Sequence, residues 1–174
     1  MTRFVCNSCG ATWLSESAAS LIHRHDGLCL RCDGPVEWVS ENEAVLRRFL
    51  DALNNGDEDE LVATLDSDVT CYPAPHWAAI GGLPPAIQGI PAAIEALRST
   101  KQGVLHYLFT LDWVEEHPDG RLVCAGSSRT VHEDGSTENR AFFWAIHMRD
   151  GHVIALRSFE RPEDARQALE VAEP

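Results

Sequence analysis

Residues 104–160, VLHYLFTLDWVEEHPDGRLVCAGSSRTVHEDGSTENRAFFWAIHMRDGHVIALRSFE, contain four runs rich in β-branched and aromatic residues. The runs are Val104–Glu116, Arg121–His132, Ser136–Arg149 and His152–Glu160. An Asp-Gly pair lies in each of the three short segments that separate them. Asp-Gly between two β-rich runs is a strong local signal for a tight hairpin. The stretch therefore predicts four consecutive antiparallel strands.

The chain before this meander has helical patterns. Ser40-Glu-Asn-Glu43 resembles a capping box that begins a helix, Asn54-Asn55-Gly56 ends it, and Asp57 can cap the next. The other predicted elements are a strand over Asp66–Tyr72, a short helix over Pro91–Leu97 and a helix after Pro162. Helices followed by strands predict an α+β fold. Because strands this long twist, we expect a curved antiparallel sheet, cone-shaped, with helices packed across its hollow face.

Two cysteine pairs stand near the start of the chain, Cys6-Asn-Ser-Cys9 and Cys29-Leu-Arg-Cys32, with 19 residues between them. Two C-x2-C pairs at such a spacing indicate a tetrahedral metal site, and four thiolates favour a structural zinc ion. His23 and His25 are alternative ligands, and disulfides are the alternative to metal. The predicted domains are a metal-binding module over residues 1–38 and a larger domain over residues 40–174.

The net charge of −13 argues against nucleic acid as a partner. Residues 1–40 carry −1 and residues 41–174 carry −12, so neither part offers the Lys and Arg that neutralise phosphates. No apolar run approaches the roughly 20 residues that span a bilayer, and Met1–Cys6 has no apolar signal core. These features predict a cytoplasmic protein without a membrane partner.

Several short stretches resemble SnoaL-like domains of the nuclear transport factor 2-like superfamily, over about residues 40–172. The stretches are Phe49-Leu-Asp-Ala-Leu-Asn-Asn-Gly-Asp57 with Asp68-Val69, Gln88-Gly-Ile-Pro-Ala-Ala-Ile94, and Arg149-Asp-Gly-His-Val153 with the run to Phe159. The resemblance implies a cone-shaped α+β barrel with a pocket, often dimeric through the sheet. Members include ketosteroid isomerases, polyketide cyclases, epoxide hydrolases, dehydratases and binding domains, so it does not imply one activity. The module before it resembles a zinc ribbon.

Alternation along the strands suggests which side chains reach the pocket. Leu105, Tyr107, Phe109, Leu111 and Trp113 share a face that we expect to be the hollow one, which places Asp112 outward unless a bulge reverses the strand. If it does, Asp112 could act as a base, with His76, Tyr72 or Arg157 polarising a carbonyl; surface ion pairing is the competing interpretation. The predicted pocket-lining residues are Trp77, Tyr107, Trp113, Arg129, Trp144 and Arg157.

Three functions are compatible with these patterns. The first is a zinc-containing accessory or sensor protein that binds a hydrophobic small molecule, with the zinc module as a dock for a protein partner or a lid on the cone. The second is an isomerase, cyclase or dehydratase with acid–base chemistry on a carbonyl-containing or polycyclic substrate. The third is a structural protein whose pocket is filled, which an open cavity of about 300 Å³ would exclude. Apolar residues on both faces of Ser136–Arg149 also suggest a homodimer.

Overall fold

The computed structural model describes residues 3–6, 8–9, 11–13, 28–76, 78 and 82–170. The predicted residues His23, His25 and Trp77 lie outside the described part of the chain. The chain divides into two compact units, residues 1–45 and 46–174. No helix in the described part of the chain combines the length and apolarity needed to cross a bilayer.

The first unit contains a three-stranded antiparallel sheet of β1 (Arg3–Cys6), β2 (Thr12–Trp13) and β3 (Val36–Val39), in the order β2-β1-β3. The buried side chains that these strands contribute include Phe4, Cys6 and Val39. A small sheet with so few buried side chains gains little from apolar burial alone.

Four described helices match helices that the sequence predicts, and the first two begin after predicted capping residues. They are α1 (Glu41–Asn55), α2 (Glu58–Thr64), α3 (Ile90–Thr100) and α4 (Pro162–Glu170). The Glu43 amide donates to Ser40 Oγ at 3.0 Å, and the Glu60 amide donates to Asp57 Oδ1 at 3.0 Å. These bonds satisfy amide groups that a helix N-terminus leaves without partners. The predicted caps of α1 and α2 are therefore confirmed.

The second unit has a curved, unclosed sheet of six strands in the order β5-β4-β9-β8-β7-β6. The strands are β4 (Leu65–Tyr72), β5 (Ile87–Gln88), β6 (Val104–Glu116), β7 (Leu122–His132), β8 (Thr137–Arg149) and β9 (His152–Phe159). The predicted meander β6–β9 is confirmed, because each successive pair is antiparallel. The expectation of a fully antiparallel sheet is wrong, since β4 pairs in parallel with β9. The helix and strands between them provide the long connection that a parallel pair requires.

A β-bulge in β6 changes the face on which its side chains lie. Leu111 pairs with Gly126 and Trp113 pairs with Ala125, so Asp112 is the extra residue. Tyr107 and Phe109 therefore face the hollow side, whereas Trp113 lies on the opposite, outer face. Gly126 permits this bend, since a Cβ there would overlap the Thr110 carbonyl oxygen and approach Phe142 Cζ to 2.6 Å.

The C-terminal helix α4 covers part of the outer face. Val123 and Ala165 are fully buried there, with Trp113, Phe143, Ala145 and Phe159 packed around them. Part of the second apolar face of β8 is therefore buried by the chain's own helix. This packing gives a reason within one chain for apolar residues of β8 that the sequence pattern alone assigned to a dimer interface.

Asn54 joins the end of α1 to the edge strand β6. Its Nδ2 donates to the Phe109 carbonyl oxygen at 2.9 Å, and its Oδ1 accepts from the Phe109 amide at 2.6 Å. A single side-chain amide thus satisfies both backbone groups of one residue at the sheet edge, as a neighbouring strand would.

We expect Asn54→Ala to lower the free energy of unfolding of the second unit by about 2 kcal/mol, because it leaves a partly buried amide and carbonyl without partners. Chemical denaturation of the full chain would measure this change. Asn55→Ala is the matched control, since Asn55 is the next residue of α1 and is exposed. An equal effect of the two substitutions would contradict a special role for the Asn54 bonds.

Candidate functional site

The four paired cysteines converge in the first unit. The Cys6 and Cys32 sulfurs lie 3.5 Å apart, the Cys9 and Cys29 sulfurs lie 3.7 Å apart, and all four lie within 4.8 Å of one another. Four sulfurs at the corners of a tetrahedron with metal–sulfur bonds of about 2.3 Å would be roughly 3.8 Å apart. All are free thiols rather than disulfides. The cluster is therefore close enough to hold one metal ion.

The backbone around the cluster favours negatively charged sulfur. The Ser8 amide donates to Cys6 Sγ at 3.4 Å, and the Arg31 amide donates to Cys29 Sγ at 3.3 Å. Burial by itself raises the pKa of Cys6, but hydrogen bonds from the amides of Cys9 and Ser8 and from the neighbouring thiols outweigh it and lower that pKa to about 6. The Gly34 amide lowers the pKa of Cys32, but hydrogen bonds with the Cys9 and Cys6 sulfurs raise it to about 12, so the negative charge is held on Cys6 rather than on Cys32. These contacts suit thiolate ligands, which bind metal in the deprotonated form.

Close packing of the two cysteine turns explains a glycine in the second. A Cβ on Gly34 would lie 2.6 Å from Ser8 Cβ and 3.3 Å from Cys32 Sγ. The Gly34 carbonyl also accepts from the Cys29 amide at 2.8 Å, which closes this turn. Glycine thus lets the turn after Cys29 approach the turn after Cys6.

A separate cavity of about 160 Å³ lies within the second unit, between the hollow face of the sheet and its helices. Its aromatic lining residues are Phe49, Tyr107, Phe109, Phe142 and Trp144. Neighbouring ring centroids lie 4.4 Å apart for Phe142 and Trp144, and 5.7 Å apart for Phe109 and Phe142. Within the described residues the lining contains no carboxylate and no imidazole. The cavity suits an apolar guest.

Two weakly acidic groups line this cavity in their neutral forms. Burial raises the pKa of the Cys71 thiol to about 11. Burial also raises the pKa of Tyr107, whose hydroxyl donates to the Thr100 carbonyl at 2.9 Å. Both groups remain protonated near neutral pH, so neither supplies a base at the cavity wall.

The structure brings two predicted pocket residues to the cavity, namely Tyr107 and Trp144. The β-bulge places Trp113 on the outer face, where the centroid of its ring lies 4.8 Å from the Arg166 guanidinium carbon. Arg129 is exposed on the outer face, because it pairs with Leu108 and Asn139 on that side. Neither residue lines the cavity.

The three predicted catalytic residues do not meet. Asp112 is exposed at the bulge. The bulge moves the side chains after it to the opposite face of the sheet, but it does not bring the Asp112 carboxylate to the cavity lining. The Arg157 guanidinium carbon lies 4.4 Å from the centroid of the Tyr72 ring, so these two side chains contact each other on the outer face. His76 Nδ1 lies 3.6 Å from Glu160 Oε1. These positions do not form the predicted acid–base set.

Sequence reasoning missed Glu138, which forms a charged pair with Arg140 on the hollow face. Glu138 and Arg140 alternate with Phe142 along β8, and Arg140 Nε donates to Glu138 Oε1 at 2.7 Å. This hydrogen bond and the positive charge hold the pKa of Glu138 below its usual range. The alternation of Glu138, Arg140, Phe142 and Trp144 was the available signal, but Glu138 follows a turn and resembles a surface residue. Cys71 and Lys101 were also missed as lining residues.

The fold matches that of NTF2-like proteins. A structure of an NTF2-like protein of unknown function from Burkholderia pseudomallei has 18% identity and a TM-score of 0.63, over 76% of this chain and 100% of that one. TerC, co-crystallized with polyporic acid, gives the same identity, coverage and TM-score. An LEH-like epoxide hydrolase of Mycobacterium tuberculosis has 18% identity and a TM-score of 0.56, over 75% of this chain and 90% of that one. No family model and no curated protein matches the chain.

Proposed function

We propose that the second unit binds a small apolar molecule in its aromatic cavity without turning it over. The observation that carries this proposal is the lining, where five aromatic residues meet and the described residues include no carboxylate or imidazole. The volume of about 160 Å³ is close to that of an apolar protein cavity of about 150 Å³ that admits benzene. The ligand class is therefore a molecule with one apolar ring. The cavity is smaller than about 300 Å³, so its volume does not exclude a purely structural role.

An acid–base enzyme is the second candidate, as an isomerase, cyclase or dehydratase. The Glu138–Arg140 pair favours it, because it lies on the hollow face beside Phe142. The low pKa of Glu138 weakens it, since a carboxylate held ionised by arginine is a poor proton acceptor near neutral pH. TerC and the epoxide hydrolase have the same fold, which suits both ligand binding and catalysis.

For the first unit we propose a structural zinc site with Cys6, Cys9, Cys29 and Cys32 as its four ligands. Four thiolates fill a tetrahedral site, so no position remains for a reacting molecule. Such a module could present its surface to a protein partner in an accessory or sensor role. A reducing compartment such as the cytoplasm suits these free thiols. A homodimer is supported by two leucines of the edge strand β6, Leu105 and Leu108, which are 63% and 51% exposed.

Toluene is a suitable probe for the cavity because it carries one apolar ring. We expect it to raise the unfolding temperature of the full chain, since a ligand at about 100 times its Kd stabilises the folded state by about 2.7 kcal/mol. Cyclohexane and indole would define which ring shapes are admitted. The binding function would be contradicted if none of these probes raised the unfolding temperature and none was seen to bind by ligand-observed NMR. Recovery of chemically altered indole would instead favour an enzyme.

A further inference from the structure

A second cavity, of about 210 Å³, adjoins the apolar one at the end of α1. Its lining includes the polar residues Asn54, Asn55 and His106. Three residues line both cavities, namely Leu53, Lys101 and Tyr107. The two cavities therefore share a wall, with aromatic side chains on one side and amide, imidazole and ammonium groups on the other.

Lys101 spans this shared wall and is the single lysine of the chain. A Cβ built on Gly56 would lie 3.4 Å from Lys101 Nζ, and Gly56 lines the polar cavity only. The ammonium group is thus on the polar side, whereas the residue as a whole also lines the apolar cavity. A long methylene stem along an apolar surface with its charge outside it is the usual arrangement of a partly buried lysine.

The charges around the polar cavity favour an anion. Its described lining contains no carboxylate, in a chain whose net charge is −13. Glu58 is a carboxylate that interacts electrostatically with Lys101, and both of its oxygens already accept from Arg98, at 2.9 and 2.6 Å. Arg98 therefore offsets the negative charge that would otherwise compete for Lys101.

We propose that the ligand is an amphipathic carboxylate whose ring occupies the aromatic cavity and whose carboxylate binds Lys101 in the polar cavity. This inference rests on the proposed binding function and adds the ligand's charge. A carboxylate bound to an ammonium ion forms a charge-assisted hydrogen bond, which is stronger than a bond between neutral groups. The competing role of Lys101 is to neutralise the C-terminal carbonyls of α1, which attract a cation whether or not a ligand is present.

The test compares 3-phenylpropanoate with 3-phenylpropan-1-ol, which share a ring and chain and differ in the carboxylate. Calorimetry on the full chain should show at least tenfold tighter binding of the carboxylate. Lys101→Met should remove this preference, because the affinity for the carboxylate should fall at least tenfold while the affinity for the alcohol changes by less than twofold. Lys101→Arg should retain most of it. Arg48→Gln is the charge-matched control, since it removes one positive charge at an exposed pair with Glu60.

A direct readout uses the single lysine. Reductive methylation with ¹³C-formaldehyde gives one dimethyl-lysine signal besides that of the N-terminal amine and keeps the positive charge. We expect 3-phenylpropanoate to shift this signal and the alcohol to leave it nearly unchanged. Failure of both ligands and of the neutral ring probes to bind would overturn the proposed function itself. Equal binding of the two ligands, or an equal loss of both in Lys101→Met, would overturn only the proposed role of Lys101.

Discussion

Replacement of Cys6 and Cys29 together by serine is expected to abolish metal binding by the chain and to unfold its first unit. One residue from each pair is then lost, so the two remaining thiolates cannot close a tetrahedral site. Apparent free energies of about 10–16 kcal/mol accompany structural zinc binding in small modules, far more than the short β2-β1-β3 sheet can replace. Elemental analysis should give about one zinc per wild-type chain and less than a tenth of that in the double variant.

Cys71→Ser is the matched control for this experiment, because Cys71 lines the cavity of the second unit and does not belong to the metal cluster. It should retain the full zinc content. Two-dimensional NMR should show that the double variant loses the dispersed signals of β1, β2 and β3, while those of the six strands of the second unit stay dispersed. A wild-type protein purified with iron, or with well under one zinc per chain, would overturn the zinc assignment.

Acid should release the metal from the wild-type protein before it unfolds the second unit. Ligand thiolates must lose their protons to bind, so the apparent metal affinity falls as the pH drops and protons compete for sulfur. This dependence is strongest below the pKa values of the free thiols. A colorimetric zinc indicator, followed together with the NMR signals of both units, would measure the order of the two events.

Filling the aromatic cavity is expected to have the second large effect. Ala96 lies on α3 and lines the cavity, so the indole of Ala96→Trp would occupy the space that we assign to the ligand ring. We expect an affinity loss of at least 100-fold for toluene, which corresponds to about 2.7 kcal/mol. Stability should change less than affinity, because the added apolar surface is itself buried. Calorimetry and thermal unfolding would measure the two quantities separately.

An alanine about one helical turn earlier on α3 supplies a control with the same added side chain. Ala92 lies on α3 as well, but it is exposed and does not line the cavity. Ala92→Trp should therefore bind toluene as the wild type does. If Ala96→Trp binds equally well, the aromatic cavity is not the binding site, and the structural role becomes the better explanation of this fold.

Much of the candidate site depends on contacts that a local pattern cannot show. Tyr107 and Trp144 follow a simple alternation and line the cavity as expected. Trp113 obeys the same alternation but lies beyond the bulge, so one extra residue moves it to the outer face. Glu138 has the pattern of a surface residue after a turn. Its place on the same face as Phe142 follows from the strand register of β8, which is set by its neighbours.

The sequence by itself determines the features whose physical causes lie within a few residues. Asp-Gly pairs allow tight hairpins, Ser40 and Asp57 cap helices with their own side chains, and short C-x2-C turns aim two sulfurs at one point. Only the tertiary structure decides which groups share a cavity. The Asn54 side chain hydrogen-bonds to Phe109, which is 55 residues away in the sequence, and Lys101 lines both the aromatic cavity and the polar cavity. These positions depend on how the helices and the curved sheet pack, because packing brings together side chains that the chain itself separates.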